Sequence, residues 1–143
     1  MKNSDARNGI QIGLWIDHKV AILVFMEKGS ARVERIESGA ESHYHSSGGS
    51  RSAGGLGIAQ DVSNEQRMDE RRKHEYHRFY RKVIEAVAPA DALLILGPGE
   101  AKRELAKEIQ AVKSFGDKPV AVETSDKLSE NQLVAKVKAF FVR

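Results

Sequence analysis

The sequence predicts a single α/β domain with one mixed β-sheet and helices on its faces. Three observations carry that prediction. Three strand-like runs follow one another closely near the N-terminus, a long amphipathic stretch spans residues 65–87, and two short apolar runs then alternate with further helical segments. Closely spaced strands pair antiparallel, whereas strands separated by a helix pair in parallel.

The elements follow in order. Residues 1–9 are polar and are expected to be a flexible tail, with the domain expected over 10–143. Ile10 to Ile16 is apolar and reads as a buried strand. Asp17-His18-Lys19 breaks it, and the run from Val20 to Met26 is continuously apolar, as a strand covered on both faces should be. Lys28-Gly29-Ser30 is a turn signal, after which Ala31 to Glu37 alternates apolar and charged residues in the manner of a half-exposed strand. A helix is expected from Glu65 to Val87, capped by Ser63 or Asn64. Ala92 to Leu96 is a short apolar strand ended by Gly97-Pro98-Gly99, and Glu100 to Val112 a second helix. Pro119 to Glu123 is the last strand, and Ser129 to Phe141 the last helix, its Ser129-Glu130-Asn131-Gln132 start approximating a capping box. The order β-β-β-α-β-α-β-α matches a ribonuclease-H-like arrangement.

Composition narrows the function. A chain of 143 residues, 41% hydrophobic and 30% charged, can bury a core without metal or disulfide, and it has no cysteine for either a disulfide framework or a thiolate site. No signal-peptide segment and no run of about 18 apolar residues is present, so a cytoplasmic protein without a membrane partner is expected. The net charge is only +3, but the cations are unevenly placed: Arg67, Arg71, Arg72, Lys73, Arg78, Arg81 and Lys82 fall within residues 67–82.

On a helical wheel of about 100° per residue, Tyr76, Phe79, Tyr80, Val83, Ile84 and Val87 share one face. Arg67, Arg71, His74, Arg78, Arg81 and Lys82 fall within roughly a third of the circle on the other. Two readings stand side by side. The stripe is a solvated face, partly neutralised by Glu70 and Glu75, or it contacts a phosphate backbone.

Just ahead of this helix lies a stretch unusual for a compact domain, residues 41–63, ESHYHSSGGSRSAGGLGIAQDVS. A long glycine- and serine-rich connection is typically functional or disordered. It carries two doublets, Gly48-Gly49 and Gly54-Gly55, with Arg51 between them.

Other constellations are weaker. His43-x-His45 and His74-x-x-His77 offer four imidazoles, but such histidines on basic surfaces more often bond or stack against nucleic acid, so no metal and no cofactor are expected. Asp17 ends a strand where two-metal nucleases hold a carboxylate, yet an Asp opening a hairpin commonly serves the turn alone. Gly97-Pro98-Gly99 precedes a helix whose first amides, with Lys102, suit a phosphate; the plainer reading is a tight turn that lets strand and helix pack closely.

Hairpin, Gly-Gly stretch, the basic helix RRKHEYHRFYRKVIEAV, the junction LGPGEAKRELAKEI and the TSDKLSENQL segment together resemble the middle domain of class-1 peptide-chain release factors and their Pelota-type relatives. The chain is similar in particular to free-standing bacterial and archaeal release-factor-like proteins of the translational-machinery or host-attachment type. The resemblance covers about Ile10 to Phe141. It implies a partner in the ribosome, rRNA or tRNA, contacted by Arg51, Arg67, Arg71, His74, Arg78, Arg81 and Lys82, with a role in ribosome rescue. In the release factors the corresponding loop carries Gly-Gly-Gln, which promotes hydrolysis of the peptidyl-tRNA ester. The resemblance places Gly48, Gly49 and Ser50 at that catalytic position, with Gly54-Gly55 as the alternative tip. A serine amide can still donate to developing negative charge, but its side chain is too short to make the glutamine's contacts. The expectation is therefore an RNA-binding protein rather than an enzyme. The alternatives are a protein-interaction module without RNA binding and a peptidyl-tRNA ester hydrolase.

Overall fold

The computed structural model describes residues 9–39 and 58–142. Strands β1 (Ile10–Ile16), β2 (Val20–Glu27) and β3 (Ser30–Glu37) precede helix α1 (Ile58–Val87). Strand β4 (Ala92–Gly97), helix α2 (Ala101–Gln110), a 3-10 turn (Lys113–Phe115), strand β5 (Val120–Thr124) and helix α3 (Glu130–Val142) complete the chain. One five-stranded sheet runs β3-β2-β1-β4-β5. The first three strands are antiparallel neighbours, whereas β1–β4 and β4–β5 pair in parallel. This is the single mixed-sheet α/β architecture that the order of apolar runs predicts.

The connections explain the antiparallel half. Glu27 pairs with Ser30 across a two-residue turn in which Lys28 and Gly29 both have positive φ, 52° and 82°. That geometry matches the natural twist of a hairpin and is why a glycine stands there. At the β1–β2 turn, Asp17 Oδ1 accepts from the Lys19 and Val20 amides at 2.8 and 2.9 Å. The side chain satisfies donors that the reversal would otherwise strand.

The strands at the centre of the sheet are buried on both faces, so they read as continuous apolar runs. On one face Ile12, Leu14, Ile16, Leu23, Phe25, Leu93 and Ile95 meet Phe79, Tyr80, Val83 and Val87 of α1 and Leu105 and Ile109 of α2. On the other, Trp15, Ile22, Val24, Met26, Leu94 and Leu96 meet Leu133 and Val137 of α3. Each fully buried large apolar side chain stabilises the fold by roughly 1.5–3 kcal/mol. The approach of α3 is close: a Cβ at Gly13 would stand 2.4 Å from Val137 Cγ2. At its start, Ser129 and Gln132 form the reciprocal capping box expected from the sequence, with the Gln132 amide on Ser129 Oγ at 3.1 Å and the Ser129 amide on Gln132 Oε1 at 3.0 Å.

One boundary differs clearly from expectation. α1 begins at Ile58, seven residues before Glu65, so the last six residues of the 41–63 stretch are helical. Ser63 and Asn64 therefore lie inside the helix rather than at its cap. Ser and Asn are good caps, but a single one inside a helix costs only a fraction of a kcal/mol relative to alanine, so it does not by itself end the helix. The second helix is shorter than its expected span, Glu100 to Val112, because the chain tightens after Gln110 into the 3-10 turn that buries Phe115.

Candidate nucleic-acid interface on α1

The apolar face of α1 fixes which residues face outward. Phe79, Tyr80, Val83 and Val87 are buried, and Tyr76 and Ile84 half-buried, as the helical periodicity predicts. Arg67, Arg71, His74, Arg78, Arg81 and Lys82 are all exposed on the opposite side. Among the described residues none of these six is held in an ion pair. Glu85, also exposed, is the described carboxylate in the same arc, at its C-terminal end. The structure thus brings together the sequence-predicted residues of α1 as one cationic stripe, about 22 Å long from Arg67 to Lys82 at 1.5 Å per residue. Gly48, Gly49, Ser50 and Arg51, with His43 and His45, lie outside the described residues.

The flank of α1 that faces α2 carries a different chemistry. The buried Tyr80 hydroxyl donates to Glu104 Oε1 at 2.5 Å. The same carboxylate oxygen lies 3.1 Å from His18 Nε2 on the β1–β2 turn. The His18 ring stacks on Tyr76, with centroids 4.5 Å apart and planes 17° from parallel. One turn along, His77 Nδ1 meets Glu108 Oε2 at 2.5 Å. Burial, and then the bond to Glu104, raise the Tyr80 pKa far above its ordinary value, so the hydroxyl keeps its proton and acts only as a donor toward the carboxylate. A cleft of about 300 Å³ opens between the helices here, with Lys73 and Lys107 among its lining residues. His77 is thus drawn to α2, while His74 stays on the exposed stripe.

Sequence reasoning singled out Asp17 and passed over its neighbour His18. Asp17 spends its carboxylate on the turn, whereas His18 joins three elements. Its partner Glu104 lies 86 residues away, and no local pattern reports such a contact. Among the described residues no three His, Asp or Glu side chains gather as metal ligands.

The Gly97-Pro98-Gly99 junction follows its plainer reading. A Cβ at Gly97 would lie 2.3 Å from the Ile16 carbonyl oxygen, so only glycine lets the end of β4 sit against β1. Lys102 is buried, and its ammonium donates to the Gly99 carbonyl at 2.6 Å, closing its own loop.

No family model matches the chain, and no curated protein does. Solved structures do resemble it. Pelota of Archaeoglobus fulgidus superposes with a TM-score of 0.55 at 12% identity, covering 96% of this chain and 33% of Pelota. The archaeal translation termination factor aRF1 gives 0.52 at 9% identity, covering 93% of this chain and 34% of the factor. The chain therefore spans about a third of each, and at these identities the likeness is one of fold. No described helix is long and apolar enough to cross a membrane. The fold is release-factor-like, and nearly the whole of this chain takes part in it.

Proposed function

We propose that this protein binds RNA of the translation machinery, a ribosomal or transfer RNA, through the outer face of α1. The observation that carries the reading is the stripe of Arg67, Arg71, Arg78, Arg81 and Lys82, exposed and without described carboxylate partners. Five cations along one rigid helix face match a row of phosphates, and the planar guanidinium forks suit phosphate oxygens in particular. His74 lies in the same arc and supplies a ring that stacks on or bonds to a base. The fold shared with Pelota and with a translation termination factor supports the choice of translational RNA over other polyanions. The Gly48-Gly49-Ser50 segment and Arg51, just ahead of α1 in sequence, belong to this proposal as a second contact with the same RNA, in a ribosome-rescue role. The proposal is of binding, without ester hydrolysis.

The test is titration of labelled transfer RNA with the protein across a salt series. Five phosphate contacts predict that log K falls with log salt with a slope of about −4. A flat salt dependence, with an apolar partner competing for α1, is the result expected of a protein-interaction module instead.

A further inference from the structure

Strand β5 closes the sheet on the side away from β3, and among the described residues no strand covers its outer edge. In a parallel ladder a residue turns both its amide and its carbonyl to the same neighbour, and alternate residues do so. Pro119 O accepts from the Leu93 amide at 3.0 Å, and the Ser125 amide donates to Gly97 O at 2.9 Å. By that alternation Ala121 and Glu123 also bond to β4. Val120, Val122 and Thr124 therefore present their amides and carbonyls outward, a template for one more strand.

The side chains beside this edge are asymmetric. Val122 and Thr124 rise on the α2 side, where a groove of about 390 Å³ runs between β5 and α2. Its wall is Lys102, Arg103, Ala106 and Lys107, and no carboxylate lines it. The buried Lys102 ammonium has a carbonyl as its partner, not an acid. Arg103 meets Glu100 only at 3.4 Å, between two well-exposed groups. Among the described residues Val122, 40% exposed, is one of the few large apolar side chains left in solvent. On the opposite face β5 is flanked by Ala139 and Phe140 of α3, and there Lys136 is paired with Glu123 at 4.0 Å.

We propose that the outer edge of β5 is a docking site for an extended segment of a partner protein whose side chains alternate acidic and apolar. The segment adds as a sixth strand on Val120, Val122 and Thr124. Its acidic residues lie over the Lys102–Lys107 groove and its apolar ones beside Phe140. Main-chain bonds supply affinity and the alternate side chains supply selectivity. A second copy of the chain fits less well. Antiparallel β5–β5 pairing about a two-fold axis sets the Arg103 and Lys107 side chains of both copies on the same face, where like charges oppose each other. This surface is separate from the α1 stripe and does not depend on the RNA reading.

The probe is a fluorescent peptide of alternating Glu and Val, with a Lys-Val peptide as control. The Glu-Val peptide is expected to bind and to slow hydrogen exchange at the Val120, Val122 and Thr124 amides. Lys107→Glu is expected to weaken it about tenfold, a change of about 1.4 kcal/mol. Val122→Pro removes an outward amide at an edge position that tolerates proline, and is expected to abolish binding with unchanged circular dichroism. No binding of the Glu-Val peptide, equal binding of the Lys-Val peptide, or protection at β3 would overturn the proposal. So would protection at β5 that arises from protein concentration alone, or from an oligouridylate in place of the peptide.

Discussion

The Tyr80 hydroxyl and Glu104 Oε1 meet at 2.5 Å, and His18 reaches the same oxygen from the β1–β2 turn. One carboxylate thereby ties α1, α2 and the β1–β2 turn together. The consequence for the cationic face is mechanical. α1 is held at a fixed rotation by its buried residues and by this bond, so its outer residues stay outward.

Tyr80→Phe removes the donor while keeping the ring. Because Glu104 retains His18 as a partner, the cost is about 1–2 kcal/mol, read as a lower urea midpoint at unchanged m-value. Transfer RNA affinity is expected to stay within twofold of wild type, since Tyr80 faces away from the stripe.

Alkaline pH separates the same two proteins differently. The folded Tyr80 pKa is raised above its ordinary value of 10.0, so the folded state holds a proton that the unfolded chain releases. The resulting stability is fully present below about pH 10 and is lost progressively above it. Wild type is therefore expected to lose its advantage over Tyr80→Phe as pH rises beyond 10, in paired denaturant titrations.

Gly13→Ala places a methyl against Val137 and is expected to destabilise by about 1–3 kcal/mol. Val137→Ala opens the space, so the double variant should be more stable than the sum of the two single losses allows. Gly97→Ala meets a backbone oxygen rather than a side chain, has no such rescue, and should cost more. Thermal unfolding of the four proteins reads all of this.

Much of this fold was legible because its signals are local. Continuous apolar runs mark the central strands, the Lys28-Gly29 turn fixes a hairpin register, and Ser129 with Gln132 marks a helix start. The outer face of α1 was equally legible, since a period of 3.6 sorts Phe79 from Arg78 without knowing what Phe79 touches. The Tyr80–Glu104–His18 junction was not, because it depends on how α1, α2 and a turn meet in space. The free edge of β5 was hidden for a similar reason: strand order, not strand identity, leaves it uncovered. The early start of α1 shows the limit of cap rules, since a single Ser or Asn costs too little inside a helix to end it.

Ribosome co-sedimentation across a salt series tests the central claim most directly, using wild type and an Arg71→Glu, Arg78→Glu variant. Both positions are exposed, so the variant is expected to keep its thermal stability within about 0.5 kcal/mol. Wild type should pellet with ribosomes at low salt and be released steeply as salt rises, while the variant should remain in the supernatant throughout. A folded variant that pellets like wild type, at the same salt concentrations, would contradict RNA binding by α1.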